Sequence, residues 1–232
     1  MFVRRHKIRV RANTRHAKSR RATLFQKRAL GWSNAFKALF CKEGARRAGV
    51  LKKGDDVMTE FIEKTQALGA ESAVVVEVAD IPFEPALIDL CVMNTCGNYG
   101  KSWVCPPLVG KTSDLIAEAK SYSKMLVFHA IYRLEDSFDI EGMFAANEGF
   151  HKLTNEVDEV FNGVPHVTLS AGGCKICETC AAVTDEPCRV PEKAFVSVEA
   201  YGIFVSKLAE VAGVKYINGV NTVTYFGGVL FD

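Results

Sequence analysis

The sequence lacks the short motifs that mark several large enzyme classes. It contains no G-x-x-x-x-G-K-[ST] loop, no G-x-G-x-x-G and no G-x-S-x-G. Its nearest glycine-rich stretch, Gly172-Gly173, opens a group of cysteines and needs no phosphate to explain it. No apolar run approaches the roughly 18–20 residues that a membrane-spanning helix requires, so no membrane association is expected. The first residues are charged but lack an apolar stretch of about 7–15 residues, so export is not expected either. The expectation is a cytoplasmic protein in a reducing compartment.

Acidic residues are scarce in the first quarter of the chain. Residues 1–57 carry 17 Lys or Arg against three acids, Glu43, Asp55 and Asp56, a balance of +14. Residues 58–232 carry 12 basic and 24 acidic side chains, a balance of −12. Clustered Lys and Arg suit a nucleic-acid-binding arm or a transit peptide. A third reading is favoured: residues 1–57 are a basic extension, disordered or non-native, ahead of a working domain at 58–232. Amphipathic helical sequence with an acid in its first turn begins abruptly at Met58. Nucleic-acid binding would rest on the extension alone.

Within 58–232 the periodicity alternates between helix and strand. Helices are expected over 58–68, over 112–123 with Thr112 or Ser113 as cap, over 138–161 ending at Asn162-Gly163, and over 201–212. Strands are expected over 72–81, 125–132, 166–171 and 222–231. His151 is expected on a helix surface, and Ser197 and Glu199 at the start of a helix as cap and first-turn acid. The fold class is α/β, with α+β as the alternative: one compact domain, a mixed sheet flanked by helices, and two cysteine-rich metal loops.

Cysteine is abundant: of eight, all but Cys41 lie in the acidic part, in two tight groups. Without a secretory signal, such grouping points to metal or redox chemistry rather than a disulfide scaffold. The second group reads GGCKICETCAAVTDEPCRVPE. Cys174, Cys177 and Cys180 follow C-x2-C-x2-C, and Cys188 comes after seven further residues. Two-residue gaps let successive thiolates curl around one centre, with backbone amides directed at the sulfurs. Bacterial ferredoxins use the same triple for a cubane cluster. Zinc sites also use C-x2-C, though usually as two separated pairs. An iron–sulfur cluster, 4Fe–4S, is therefore expected, with zinc as the alternative.

The first group reads LCVMNTCGNYGKSWVCPPLVG. Cys91, Cys96 and Cys105 supply three thiols, one short of a tetrahedral set. The missing ligand would be a cysteine of the second group, His129 or His166, or an exogenous molecule. Tyr99 and Trp103 either cover a centre or serve as ordinary core aromatics. Lys101 is a candidate contact for an anionic substrate, and Lys175 and Arg189 either offset the charge of a cluster or are solvated surface charges.

The elements C-x4-C-x2-Y-G-K-x-W-x-C-P-P (91–107), G-C-x2-C-x2-C-x7-C-R-x-P-E-x-A (173–194) and S-x-E-A-x-G-I-x-V (197–205) resemble a prokaryotic family of predicted metal-binding proteins, domain of unknown function 2284. The resemblance covers roughly residues 58–232 and leaves out the basic segment. It implies Cys96, Cys105, Cys174, Cys177, Cys180 and Cys188 as ligand candidates. The family's first gap is often one residue shorter than that between Cys91 and Cys96, which puts less weight on Cys91. It supplies no reaction. The expected role is electron transfer to a redox partner protein, or a redox accessory function. The alternatives are a zinc-stabilised interaction module, or an enzyme or cofactor-handling protein with an open metal site.

Overall fold

The structure, a computed structural model, describes residues 54–232. Residues 1–53, which hold most of the basic segment, lie outside the described residues. The first helix, α1 (Gly54–Ala67), already includes the last four residues of that segment.

The described chain builds one five-stranded sheet from β1 (Ser72–Glu77), β2 (Lys124–Arg133), β3 (His166–Ser170), β4 (Val196–Ser197) and β5 (Thr222–Phe231). Their order across the sheet is β1-β2-β5-β3-β4. All neighbours are antiparallel except β3 and β4, so the sheet is mixed. β2 and β5 form the middle and share the longest register, from Lys124↔Phe231 to Arg133↔Thr222.

Alternation along these strands builds two cores. Met125, Val127 and Leu230 face one side, where they meet α3 (Thr112–Ala119) and α5 (Val205–Val211) through Leu115, Ala119 and Leu208. Leu126, Phe128, Val229 and Phe231 face the other, against Phe61 of α1 and Phe150, Leu153 and Val157 of α4 (Ile140–Val160). Helices thus cover both faces of the mixed sheet, in the α/β architecture read from the periodicity. No described helix is long and apolar enough to cross a membrane.

Two glycines sit where the central strands crowd, and the first is required there. A Cβ on Gly227 would lie 2.6 Å from the Phe128 ring and 2.9 Å from the Leu169 carbonyl oxygen. One on Gly228 would meet the end of the Met125 side chain. At Gly227 the Leu169 backbone approaches more closely than a Cβ allows, whereas at Gly228 the Met125 side chain would have to shift.

Several boundaries differ from the sequence-based expectations. The strand expected over 72–81 stops at Glu77, because its partner β2 begins at Lys124 opposite it. Val78–Asp80 turns into a 3-10 segment, tied by Val78 N–H to the Ser123 carbonyl at 2.9 Å. The N-cap of α3 is Lys111, with no side-chain cap; Thr112 is inside the helix and Ser113 donates to Asp114. The helix expected over 201–212 is broken by Gly202 at φ +69°, leaving a 3-10 turn at Glu199–Tyr201 and α5 from Val205. In the first cysteine group, a short helix, α2 (Ile88–Met93), carries Cys91 where a loop was expected.

His166, one of the two histidines considered as a ligand, is committed elsewhere. Its Nδ1 lies 2.7 Å from the Val164 carbonyl oxygen and its Nε2 3.0 Å from Asp158 Oδ1. Both partners accept, so both ring nitrogens donate, which requires the imidazolium. Burial pulls the His166 pKa down, but Asp158 and the Val164 carbonyl outweigh it and leave the pKa raised. A raised folded-state pKa stabilises fully below the unfolded value, about 6.5, and that stability is lost as pH climbs through the folded value. Between about pH 6 and pH 8 the melting temperature should fall more in the wild type than in His166→Gln. Equal slopes in thermal scans at both pH values would refute this assignment.

Candidate metal centre

Apart from Cys91 on α2, the cysteines of both groups lie outside the regular helices and strands, and the structure brings the two groups together. The second group leaves the end of β3 and runs to β4 through a 3-10 turn at Ala181–Thr184. Cys174, Cys177, Cys180 and Cys188 all line one small pocket, with Ile176, Ala181, Val190 and Ala194 as its apolar wall. None of the other pocket-lining side chains is a histidine or a carboxylate.

Backbone amides are aimed at the sulfurs, as the tight spacing implies. The Ile176 amide donates to Cys174 and the Val190 amide to Cys188. Arg189 is not an idle surface charge: its guanidinium donates to the Thr179 carbonyl at 3.0 Å, clamping the loop beside Cys180. Lys175 instead lies over the Phe144 ring of α4, 5.3 Å from its centroid.

The loop is anchored by α4 through a residue placed wrongly by the sequence reading. His151 is buried, not on the helix surface. Its Nε2 lies 3.1 Å from the Gly173 carbonyl, one residue before Cys174, and its Nδ1 lies 3.2 Å from Ser170 Oγ. Since a carbonyl only accepts, Nε2 carries the hydrogen and Nδ1 accepts from Ser170. Burial first, and then the Lys175 charge, act to lower the His151 pKa; the Gly173 and Ala171 carbonyls oppose them, and the balance is a lowered value that favours this neutral form. Asn147, one turn earlier, donates to the Ala171 carbonyl at 3.3 Å. The spacing 147, 150, 151, 154 was the available signal, since it puts His151 on the same buried stripe as Phe150.

The first group begins on α2 with Cys91. Asn94, in the left-handed conformation, ends that helix and accepts the Tyr99 amide on its side chain at 2.9 Å. Cys96 lies within that turn, and the Gly100 amide then donates to the Pro106 carbonyl, closing the loop that carries Cys105. Trp103 is buried, and its indole N–H donates to the Glu186 carbonyl of the second group at 2.9 Å. Asn98 packs on Gly173, where a Cβ would fall 2.7 Å from Asn98 Nδ2. Trp103 thus joins the two loops as well as filling space. Removing its donor strands the Glu186 carbonyl, so Trp103→Phe should cost about 1 kcal/mol, read as a lower thermal midpoint. An unchanged midpoint would mean that the loops are joined by other contacts.

The seven described cysteines are free thiols. Burial pushes Cys105 up to about 11, and the neighbouring Cys96, Cys91 and Cys174 thiols add to the rise. Burial also raises Cys91, Cys174 and Cys188, again reinforced by neighbouring thiols. Thiols held this way stay protonated by themselves and lose their protons to a bound cation. Cys105 and Cys174 are near enough to sense each other's charge, so the two groups adjoin. His129 does not join them: it is buried on β2 and stacks on Phe226, 5.0 Å between ring centres. Among the described residues, no three His, Cys, Asp or Glu side chains already stand at the spacing that holds one metal ion. A metal would therefore draw the thiols together, and the donor set, four soft thiolates lining one pocket, suits a thiophilic centre.

The model of the family of predicted metal-binding proteins, domain of unknown function 2284, matches residues 74–231, more than half of the chain. No curated protein and no solved structure matches.

Proposed function

Since the chain belongs to that family of predicted metal-binding proteins, we propose that it carries a 4Fe–4S cluster on Cys174, Cys177, Cys180 and Cys188 and exchanges electrons with a partner protein. The observation that carries this reading is the single pocket lined by those four thiols and by no other ligating side chain. When bound, such a cluster supplies a one-electron store. The protein's own part is to hold and shield it. Ile176 and Val190 amides hydrogen-bond to the Cys174 and Cys188 sulfurs, which offsets thiolate charge. Ile176, Ala181 and Val190 form an apolar wall that limits water. The acidic balance of residues 58–232 suits docking to a basic partner, because complementary fields speed encounter.

A second reading, one zinc ion, is favoured by the pocket's volume of about 20 Å³. That is room for a single water-sized body. A cubane must spread the four sulfurs, whereas one ion draws them inward. Anaerobic purification of the full chain, with iron, sulfide and zinc analysis beside the visible spectrum, separates the two. About four irons with matching sulfide are expected for a cubane. A colourless protein with stoichiometric zinc would discard the electron-transfer reading.

A further inference from the structure

The exit from β3 towards Cys174 is held by polar side chains that are all buried, Asn147, His151 and Thr154 on α4 and Ser170 at the end of the strand. Asn147 and His151 stand one turn apart on the helix, so both point at the same stretch of chain. Asn147 donates to the Ala171 carbonyl at 3.3 Å, and His151 Nε2 meets the Gly173 carbonyl at 3.1 Å. Between these two carbonyls Gly172 turns the chain at φ +65°, a conformation that favours glycine. Residues 171–173 are thus tied at both ends of a tight turn, and Cys174 follows directly.

The orientation of the His151 ring is fixed from behind. Ser170 Oγ lies 3.2 Å from Nδ1 and 3.3 Å from Thr154 Oγ1, and the Thr154 hydroxyl donates to the Phe150 carbonyl at 2.8 Å. With Nδ1 accepting from Ser170, the hydrogen on Nε2 is directed at Gly173. Apolar side chains at these positions would hold α4 to the sheet without desolvating any polar group. A satisfied buried network does something they would not, because it admits one geometry of the groups it joins. Farther along, the loop is tied by the exposed Arg189 to the Thr179 carbonyl and by Trp103 to the Glu186 carbonyl.

We propose that His151 is the positioning residue of the metal loop: through the Gly173 carbonyl, with Asn147 beside it, His151 presets Cys174 as the thiol on which Cys177, Cys180 and Cys188 close. This rests on the reading of the second cysteine group as the metal-binding loop. His151 is not itself a ligand. It carries the orientation of α4 into the first ligand of the loop, as an outer partner does for the side chain it holds. One thiol is then in place before any metal arrives, and less of the loop has to be ordered on binding.

Two variants of the full chain separate direction from bulk. His151→Leu fills the space without a donor, whereas His151→Gln keeps an N–H for the Gly173 carbonyl. In the metal-free protein, well below its thermal midpoint, trypsin should cut after Lys175 about tenfold faster in His151→Leu than in the wild type, because the loop opens more often without its tie. Cutting after Lys215, in the exposed segment before β5, should not change, and His151→Gln should be cut like the wild type. With divalent cobalt as the probe, the thiolate absorption that Cys177→Ser removes reports on this loop alone. Cobalt affinity read there should fall about 10–100-fold in His151→Leu and return in His151→Gln. Equal cutting after Lys175 overturns the proposal, and so does a rise at Lys215 in step with Lys175, which marks general unfolding. Unchanged cobalt affinity in His151→Leu overturns it as well. A wild type that takes up no cobalt at Cys177 refutes the metal reading of the loop, and the cleavage rates still decide whether His151 sets its position.

Discussion

For the cluster proposed above, Cys177→Ser is expected to abolish metal loading at the second loop, taking iron from the about four per chain of a cubane to below about one and removing its visible absorption. Cys177 is the middle thiol of the triple, with two residues between it and Cys174 on one side and two between it and Cys180 on the other, and all three line the same pocket. Serine preserves the size but replaces a soft, deprotonatable thiol with a hydroxyl, a poor ligand for a thiophilic centre. The loop is also short of other support, since its described ties are a few hydrogen bonds from His151, Trp103 and Arg189. Metal analysis after anaerobic purification reads the effect directly. Cys41→Ser serves as control, because Cys41 lies outside both groups. Iron retained in the Cys177 variant at the wild-type level would remove this loop from the ligand set.

Phe150→Ala should produce the largest loss of stability, about 3–5 kcal/mol. Phe150 is fully buried between the sheet and α4, with its ring 5.5 Å from that of Phe128 and 5.8 Å from that of Tyr225. Alanine leaves a cavity that the crowded strands close only partly, since Phe128 is already pressed against Gly227. The damage does not stay in the core. Thr154 donates to the Phe150 carbonyl at 2.8 Å, and the adjacent His151 holds Gly173. The variant should therefore also load metal less completely at the temperature at which the wild type is saturated. A urea midpoint corresponding to less than about 1.5 kcal/mol of destabilisation would show that this core relaxes around the gap.

The parts that were legible from sequence are those governed by local pattern. β2 and β5 are read from dense β-branched and aromatic runs, and α4 from a long amphipathic stretch that ends at Phe161. The grouping of Cys174, Cys177, Cys180 and Cys188 around one pocket is legible because they are close neighbours in sequence. What escaped is set by residues far apart in the chain. Trp103 meets Glu186 across 83 positions, and no spacing within either group reveals that the loops touch. Glu199 looks like a first-turn acid, whereas in the fold its Oε2 is shut off from water. The break comes at Gly202, whose left-handed φ ends the turn and where a Cβ would lie 2.8 Å from Ile116. Helical periodicity does not register such a crossing.

The place of β5 gives the protein an order of assembly. This strand is the last of the described strands, yet it sits in the middle of the sheet, paired to β2 on one side and β3 on the other. The thiols of both groups are therefore synthesised before the strand that joins the two halves of their platform. During translation β1 can pair with β2, but β3 has no antiparallel neighbour until Thr222–Phe231 emerges. Both cysteine loops therefore hang from a sheet whose two halves are joined only by the final strand.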